Sequence, residues 1–348
     1  MFLYYFVGFH NLSLLKESGL FALRHSFASE ELQFSVKNML IYCTGATGLA
    51  GYNFVKAAAS EGHKIIAVCG RRELPPIANV TVRHCDLLDE NAVQRAVLDA
   101  FPDAIVNCAA ISSPADVDAN PELAEKMNAA LPERLAQLAN HVGARFIHLS
   151  TDMVFDGSDA PYKNTDVPMP CTLYGTTKLM AEKRVLKAAA PISVVLRLSH
   201  ISGNSLTERR SLHEKLLRQW AEGKKTPCRT DEIKCPLSAG RLGDLLVELC
   251  ERPNLTGIYH YAGLEPISRY DMARRIAEKF GLSPDEFVEP VAGDRPVDLT
   301  LDMSCLARFV KTRSCMFGEL LDEMALPADL ADWLKSKTGR LPVKRFKL

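Results

Sequence analysis

Thr44-Gly45-Ala46-Thr47-Gly48-Leu49-Ala50-Gly51 is the stretch that decides the fold of this 348-residue chain. It follows the short apolar run 40–43 and precedes an amphipathic stretch, 52–61, which together predict a strand, a glycine-rich turn and a helix. Glycines permit a tight turn and let backbone N–H groups approach a pyrophosphate, which the helix N-terminus also favours. We therefore predict dinucleotide binding here, against a merely structural turn. The expected contacts are Gly45, Thr47, Gly48, Leu49 and Ala50.

The same strand and helix rhythm continues along the chain. Further strands are predicted at 65–68, 104–107, 146–150 and 192–198, and helices at 91–100, 121–142 and 179–189. Strands that are apolar throughout and alternate with helices indicate a parallel sheet covered on both faces. Right-handed crossovers then predict an α/β fold with a doubly wound parallel sheet, that is, a Rossmann domain. The polar segments after residue 200, which are interrupted by Gly and Pro, predict a smaller C-terminal substrate-binding lobe.

Three regions follow from this pattern. Residues 39–200 are predicted to form the NAD(P)-binding domain, and residues 201–348 mainly the substrate-binding lobe, from which 241–261 returns to the sheet. Residues 1–38 are expected to be a poorly ordered extension, because the nucleotide-binding pattern begins directly after Met39. The apolar run 2–9 lacks a basic flank and is too short to span a bilayer, so it is not typical of a signal peptide or a membrane span. A targeting or partner-docking role is the alternative for this segment.

Charge and cysteine usage limit the classes of partner. The chain has 42 Lys and Arg residues and 42 Asp and Glu residues, so nothing in the net charge favours nucleic acid or an anionic membrane. The ten cysteines form no CxxC pair and no cluster with histidine at zinc spacing. We therefore expect reduced thiols, a cytoplasmic location, no metal and a small-molecule substrate.

The second predicted strand ends at Arg71 and Arg72, without the acidic residue that binds a ribose 2′-hydroxyl in NAD enzymes. Arginine at this place suits a 2′-phosphate, so NADPH is the expected cofactor and NADH the second choice. The alternative is a pair of solvated arginines. Small residues close the strand 104–107, where the cofactor would lie against the backbone: Ala109 and Ala110, followed by Ile111.

A candidate catalytic group follows the strand 146–150. Thr151 ends this strand, and Tyr174 and Lys178 lie four residues apart in the segment that leads into the helical stretch 179–189. Residues at this spacing are neighbours on one helix face. The charge of Lys178 is expected to lower the pKa of Tyr174 from about 10 and so to favour proton transfer. Tyr174 would protonate the alkoxide formed when a ketone is reduced. An ordinary exposed helix turn is the alternative.

Two longer segments carry a family resemblance. Residues 150–157 (STDMVFDG), together with 174–179 (YGTTKL) and Glu182, resemble the dTDP-4-dehydrorhamnose reductase family of the extended short-chain dehydrogenase/reductase superfamily. Residues 294–296 (DRP) and 301–302 (LD) are also similar to it, so the resemblance covers about 39–310.

This resemblance implies NADPH-dependent reduction of a 4-keto group on a nucleotide-linked deoxysugar, as in dTDP-rhamnose biosynthesis, with a homodimer as a further expectation. It puts Thr151, Tyr174 and Lys178 in the catalytic positions. It also implies adenine contacts from Asp86 and Leu87 and substrate contacts from Asp152, His200 and Arg295. For Asp152 the alternative is a cap on the following turn.

Three positions depart from the reductase pattern. Leu49 replaces a usual Gln, Met153 a usual Tyr, and His200 a substrate-stacking Trp. The loop 112–116 (SSPAD) also resembles the methionine adenosyltransferase regulatory beta subunit, a non-catalytic relative. The second hypothesis is therefore an NADP-binding regulatory subunit with a synthetase partner.

Overall fold

A seven-stranded parallel sheet forms the centre of the chain in the computed structural model, which describes residues 38–339. Its strand order is β11-β6-β5-β4-β1-β2-β3. The strands are β1 (Leu40–Thr44), β2 (Lys64–Cys69), β3 (Val80–His84), β4 (Ala104–Asn107), β5 (Arg145–Thr151), β6 (Ser193–Leu198) and β11 (Gly257–Tyr261). The order reverses direction at β1 and β4, as a doubly wound fold requires. The predicted α/β class is confirmed.

Helices cover both faces of the sheet because alternate residues of each strand point to opposite sides. Ile41 and Cys43 of β1 belong to one core with α1 (Leu49–Ser60) and α8 (Ala239–Cys250). Tyr42 faces the other core, which contains residues of three further helices. These are α2 (Glu90–Ala100), α5 (Leu131–Val142) and α6 (Leu173–Ala189).

Two predicted helix boundaries are wrong. The stretch 121–142 is not one α-helix, because α3 (Pro114–Ala119) and α4 (Pro121–Glu125) lead into a π-helical segment, Lys126–Ala130, before α5 begins. Pro132 has no N–H to donate to the carbonyl four residues earlier, so the regular ladder cannot pass through this point. Helix α6 begins at Leu173 rather than at 179, because the Thr172 side chain caps it.

A second core lies in the C-terminal part of the chain. Trp220, Phe280 and Phe317 are buried within it. Its helices are α7 (Leu212–Ala221), α9 (Arg269–Lys279), α10 (Pro284–Phe287), α12 (Phe317–Glu323) and α13 (Ala331–Thr338), whereas Leu306 of α11 (Ser304–Ala307) packs in the core of the main sheet. The short strands are β7 (Ile201–Ser202), β8 (Thr226–Arg229), β9 (Glu232–Lys234), β10 (Leu237–Ser238), β12 (Ile267–Ser268), β13 (Val288–Val291) and β14 (Val297–Asp298). Strand β11 leaves this region and pairs with β6 at the edge of the main sheet.

The expectation for residues 1–38 falls almost wholly outside the described part of the chain. Within residues 38–339, no helix has the length and apolar character needed to cross a membrane. The ten cysteines are all free. The cytoplasmic location stays a prediction.

Candidate active site

The turn between β1 and α1 is tightly enclosed by the end of β4. Gly45 has a φ of +68°, and a Cβ at this position would lie 2.7 Å from the backbone nitrogen of Ala109. A Cβ on Gly51 would lie 2.3 Å from the carbonyl oxygen of Gly45. Only glycine satisfies both positions, since contacts this short would displace backbone atoms. The sequence-predicted residues of the turn and Ala109 are thereby brought together.

Helix α1 begins at this turn, and its N-terminus has no side-chain cap. Gly48 is the N-cap residue, and no acidic residue lies in the first helical turn. The first N–H groups of a helix lack partners within the helix and carry the positive end of its dipole. The arrangement therefore fits a pyrophosphate, which would supply the missing hydrogen-bond acceptors.

The ends of β2 and β3 extend this edge of the sheet. Arg71 and Arg72 follow β2, are both exposed, and make no hydrogen bond or ion pair with any residue in 38–339. Asp86 follows β3, and its Oδ1 accepts a hydrogen bond from the Leu88 N–H over 3.0 Å. Leu87 packs against the core beneath. Two cations without a partner in 38–339 thus follow β2, the strand next to the one that leads into the glycine-rich turn.

Thr151 and Tyr174 meet at the carboxyl end of β5. Thr151 is 6% exposed and Tyr174 is half-buried. The Thr151 hydroxyl donates to Asp152 Oδ1 over 3.2 Å, and it lies close enough to the Tyr174 hydroxyl to lower the pKa of the phenol. Thr151 Oγ1 also accepts a bond from the Met153 N–H over 3.2 Å. Two hydroxyl groups therefore lie close together at the carboxyl end of β5.

The protonation of this pair differs from the sequence-based expectation. Burial, followed by the charge of Asp152, raises the pKa of Tyr174 to about 12, whereas the nearby Thr151 hydroxyl lowers it. Burial lowers the pKa of Lys178 to about 8, although Glu182 and Cys108 act in the other direction. The expectation that Lys178 lowers the pKa of Tyr174 is wrong for this structure. Burial of the tyrosine is the larger effect, and the amine of Lys178 lies 3.3 Å from His148 Nε2.

Helix α6 is fixed in place at its start. Thr172 accepts a hydrogen bond from the Gly175 N–H over 3.0 Å and so caps the helix. A Cβ on Gly175 would lie 2.1 Å from the carbonyl oxygen of Met153, so the helix and the turn after β5 touch through their backbones. Tyr174, between the cap and this contact, is held against Thr151.

A buried ion pair fixes α6 one turn beyond Lys178. Glu182 and Arg197 of β6 are each 2% exposed, and Arg197 Nη2 lies 2.7 Å from Glu182 Oε2. Arg197 also donates through Nε to Glu182 Oε1 over 3.0 Å, and Ser150 donates to the same carboxylate. Removing one partner would leave a buried charge unpaired, so the pair strongly resists any rotation of α6.

The three predicted substrate ligands have different surroundings. Asp152 is buried, and both its oxygens lie 3.0 Å from the ammonium group of Lys234, with Ser199 Oγ donating over 3.0 Å. His200 follows β6, and its Nε2 is buried without a hydrogen-bond partner among the described residues. Arg295 donates to the Asp156 carbonyl oxygen over 2.8 Å and so contacts the loop before α6 instead of Thr151 or Tyr174. Their roles in substrate binding stay predictions.

Sequence reasoning missed two polar residues beneath the site. Asn128 in the π-helical segment accepts from the Ile111 N–H over 2.9 Å and donates to the Ile111 carbonyl oxygen over 3.0 Å. It thus fixes the loop after β4. His148 is fully buried within β5. A histidine between the apolar residues Ile147 and Leu149 was the available signal.

Residues 39–325 match the family model described as the RmlD substrate binding domain. The chain belongs to this family. Methionine adenosyltransferase 2 subunit beta of Xenopus laevis is 33% identical over 264 residues, which are 74% of this chain and 76% of that protein. The dTDP-4-dehydrorhamnose reductase of Mycolicibacterium smegmatis is 32% identical over 262 residues, 73% of each chain.

Solved structures agree with the fold. A hypothetical dTDP-4-dehydrorhamnose reductase from Sulfolobus tokodaii superposes with a TM-score of 0.71 at 30% identity, covering 83% of this chain and all of that one. The dTDP-4-dehydrorhamnose reductase of Bacillus anthracis, solved in complex with NADP, gives 0.68 at 22% identity, covering 82% of this chain and 96% of that one. Both families that the sequence resembles are therefore confirmed as relatives.

We predict that Gly175→Ala destabilises the chain by about 1–3 kcal/mol, because the new methyl group overlaps the Met153 carbonyl oxygen. Helix propensity alone would change stability by about 0.8–1.0 kcal/mol in the opposite direction. Equilibrium unfolding in guanidinium chloride measures the difference. Lys183→Ala, at an exposed position of the same helix, is the control and should stay within about 0.5 kcal/mol of the unaltered chain. A Gly175→Ala chain that is more stable than the original would contradict the close contact.

Proposed function

We propose that this member of the family is an NADPH-dependent reductase of a 4-keto group on a nucleotide-linked deoxysugar. The observation that carries the proposal is that the hydroxyl groups of Thr151 and Tyr174 lie close together, with Lys178 four residues after Tyr174 on the same helix, in a fold whose glycine-rich turn leaves the N-terminus of α1 without a side-chain cap. The pair offers two hydroxyl donors to one carbonyl oxygen. A fold of this kind hosts many functions, so the site and not the fold supports the choice.

The chemistry divides between the cofactor and the side chains. Bound NADPH supplies the hydride that adds to the carbonyl carbon. Thr151 and Tyr174 hold the carbonyl oxygen, and the Tyr174 hydroxyl gives its proton to that oxygen as negative charge develops. Because the pKa of Tyr174 is about 12, the phenol keeps its proton until the substrate oxygen becomes the stronger base. Lys178 lies one helical turn away and can return a proton to Tyr174.

Tyr174 is the expected proton donor. Tyr174→Phe should lower kcat by about 10²–10⁴-fold, because it removes the general acid and leaves the ring in place. Cofactor affinity should hardly change. Steady-state kinetics with an NADPH titration test both statements. A variant that keeps more than a tenth of the original kcat would contradict the role of Tyr174.

Arg71 and Arg72 are expected to set the preference for NADPH over NADH. Arg71 and Arg72 are exposed, lack partners among the described residues and follow β2, so they are free to bind a 2′-phosphate. One charge-assisted hydrogen bond of about 1.5–3 kcal/mol corresponds to a preference for NADPH over NADH of about 10- to 150-fold. We expect Arg71→Ala/Arg72→Ala to lose this preference while NADH kinetics stay the same. Equal kcat/KM for the two cofactors in the unaltered chain would contradict the prediction.

A second candidate function is a regulatory subunit that binds NADP without turning over a sugar. The identity to methionine adenosyltransferase 2 subunit beta, which slightly exceeds that to the mycobacterial reductase, favours this candidate. In addition, Asp152, one of the proposed substrate ligands, already forms an ion pair with Lys234. Under this candidate the chain would bind a methionine adenosyltransferase catalytic subunit and change its kinetics.

One assay separates the two functions. Purified chain is mixed with NADPH and a panel of nucleotide-linked 4-keto-6-deoxysugars, and loss of the reduced-cofactor absorbance is followed. We expect turnover of at least one panel member, and no turnover in the Tyr174→Phe variant. Tight NADPH binding without turnover, combined with altered kinetics of an added methionine adenosyltransferase, would instead establish the regulatory function.

A further inference from the structure

A row of buried polar side chains connects β1 to Lys178 behind the proposed active site. Thr44 Oγ1 donates to Asn107 Oδ1 over 2.6 Å, and Asn107 Nδ2 lies 3.1 Å from His148 Nδ1. His148 Nε2 in turn lies 3.3 Å from Lys178 Nζ. All four side chains are at most 2% exposed. Buried polar groups of this kind require a consistent set of donors and acceptors.

The backbone fixes the orientation of the Asn107 amide. The Ala109 N–H, which can only donate, lies 3.3 Å from Asn107 Oδ1, and the Thr44 hydroxyl donates to the same oxygen. Turning the amide over would bring its NH₂ group against the Ala109 N–H. The oxygen of Asn107 therefore faces β1, and its NH₂ group faces His148.

The amide then determines the tautomer of His148. Burial lowers the pKa of His148 well below its ordinary value of 6.5, and the charge of Lys178 lowers it further, so the ring is neutral. A neutral imidazole carries one proton. Since Nδ1 accepts from the NH₂ group of Asn107, that proton is on Nε2 and points at Lys178. Only the neutral amine form of Lys178 has a lone pair to accept it.

Other groups around Lys178 favour its ammonium form, but burial has the larger effect on its pKa. Glu182 of α6 and Cys108 after β4 both favour the ammonium form, whereas His148 of β5 faces the amine as a donor. Tyr174, one turn earlier on α6, carries no charge while it keeps its proton. The pKa of Lys178 of about 8 means that a modest change at His148 alters which form of Lys178 predominates.

We propose that His148 is a positioning residue for Lys178, which it holds by donating Nε2–H to the amine, so that Lys178 exchanges protons during the reaction instead of staying permanently charged. This inference rests on the proposed reductase function. After Tyr174 has given its proton to the product oxygen, the ammonium group of Lys178 returns one to the tyrosinate and becomes the amine. His148 stabilises that amine until water restores the lost proton.

The test measures the tautomer directly in the full chain, without substrate. In ¹⁵N-histidine-labelled protein, long-range ¹H–¹⁵N spectra distinguish protonated from unprotonated ring nitrogens, and His148→Gln assigns the signal. We expect His148 to carry its proton on Nε2 from pH 6 to pH 9. A proton on Nδ1, or an imidazolium at neutral pH, would overturn the proposal.

An isosteric variant reverses the row of donors. In Asn107→Asp the carboxylate accepts from Ala109 and Thr44 and also from His148 Nδ1–H, so Nε2 becomes an acceptor for the ammonium form of Lys178. The titration midpoint of Lys178, followed in lysine-labelled protein and assigned with Lys178→Met, should rise by at least about one pH unit, a tenfold change in its protonation constant. An unchanged midpoint would contradict the proposal.

The added charge of Asn107→Asp needs its own control. The same substitution in a His148→Phe background keeps the charge and removes the imidazole, so a smaller rise is expected there. An equal rise in both backgrounds would show that charge alone moves Lys178 and would overturn the role of His148. If Asn107→Asp does not fold, the tautomer of His148 in the unaltered chain still tests the proposal. Because none of these measurements needs turnover, a failure of the reductase proposal is detected separately, by the sugar assay.

Discussion

The contact between two backbones, Gly175 of α6 and the Met153 carbonyl, is the constraint on which the proposed site depends. A single methyl group at residue 175 would lie 2.1 Å from the Met153 oxygen, so only glycine allows the helix to approach the turn after β5 this closely. That approach brings the Tyr174 hydroxyl close to Thr151. At the other end of the contact, the cap from Thr172 determines where the helix begins.

Stability and chemistry are linked through the same helix. The buried pair of Glu182 and Arg197 holds α6 against β6, and Glu182 also favours the charged form of Lys178. Burial of Lys178 favours its neutral form. The helix is therefore held by one strong ionic contact while the nearby amine titrates close to neutral pH, a combination typical of sites that transfer protons.

Much of the fold could be predicted from the sequence because its signals are local. The glycine-rich turn at Gly45 and the apolar strands gave the doubly wound sheet, and the bounds of β4 were predicted to the residue. The break before Pro132 was missed, because the apolar pattern of 121–142 continues through it. The start of α6 was missed because it depends on a cap at Thr172.

The candidate site was predictable only in part. Motif order pointed to Thr151, Tyr174 and Lys178, but the effect of burial on their pKa values depends on packing that spacing does not reveal. The pairing of Asp152 with Lys234, which are 82 positions apart, could not be read from either segment alone. His148 could be recognised in the sequence as a polar residue between apolar neighbours. Its hydrogen-bond partners could not be predicted, because they come from β4 and α6.

Transfer of label from the cofactor tests the central claim most directly, since that claim is that hydride adds to a carbonyl carbon whose oxygen is held by Thr151 and Tyr174. The chain is incubated with NADPH that carries deuterium at the transferable position of the nicotinamide and with a nucleotide-linked 4-keto-6-deoxysugar. The account predicts one deuterium at C4 of the product sugar and a normal kinetic isotope effect in a single turnover. Deuterium that stays entirely in the cofactor pool, with the 4-keto sugar unchanged, would contradict it.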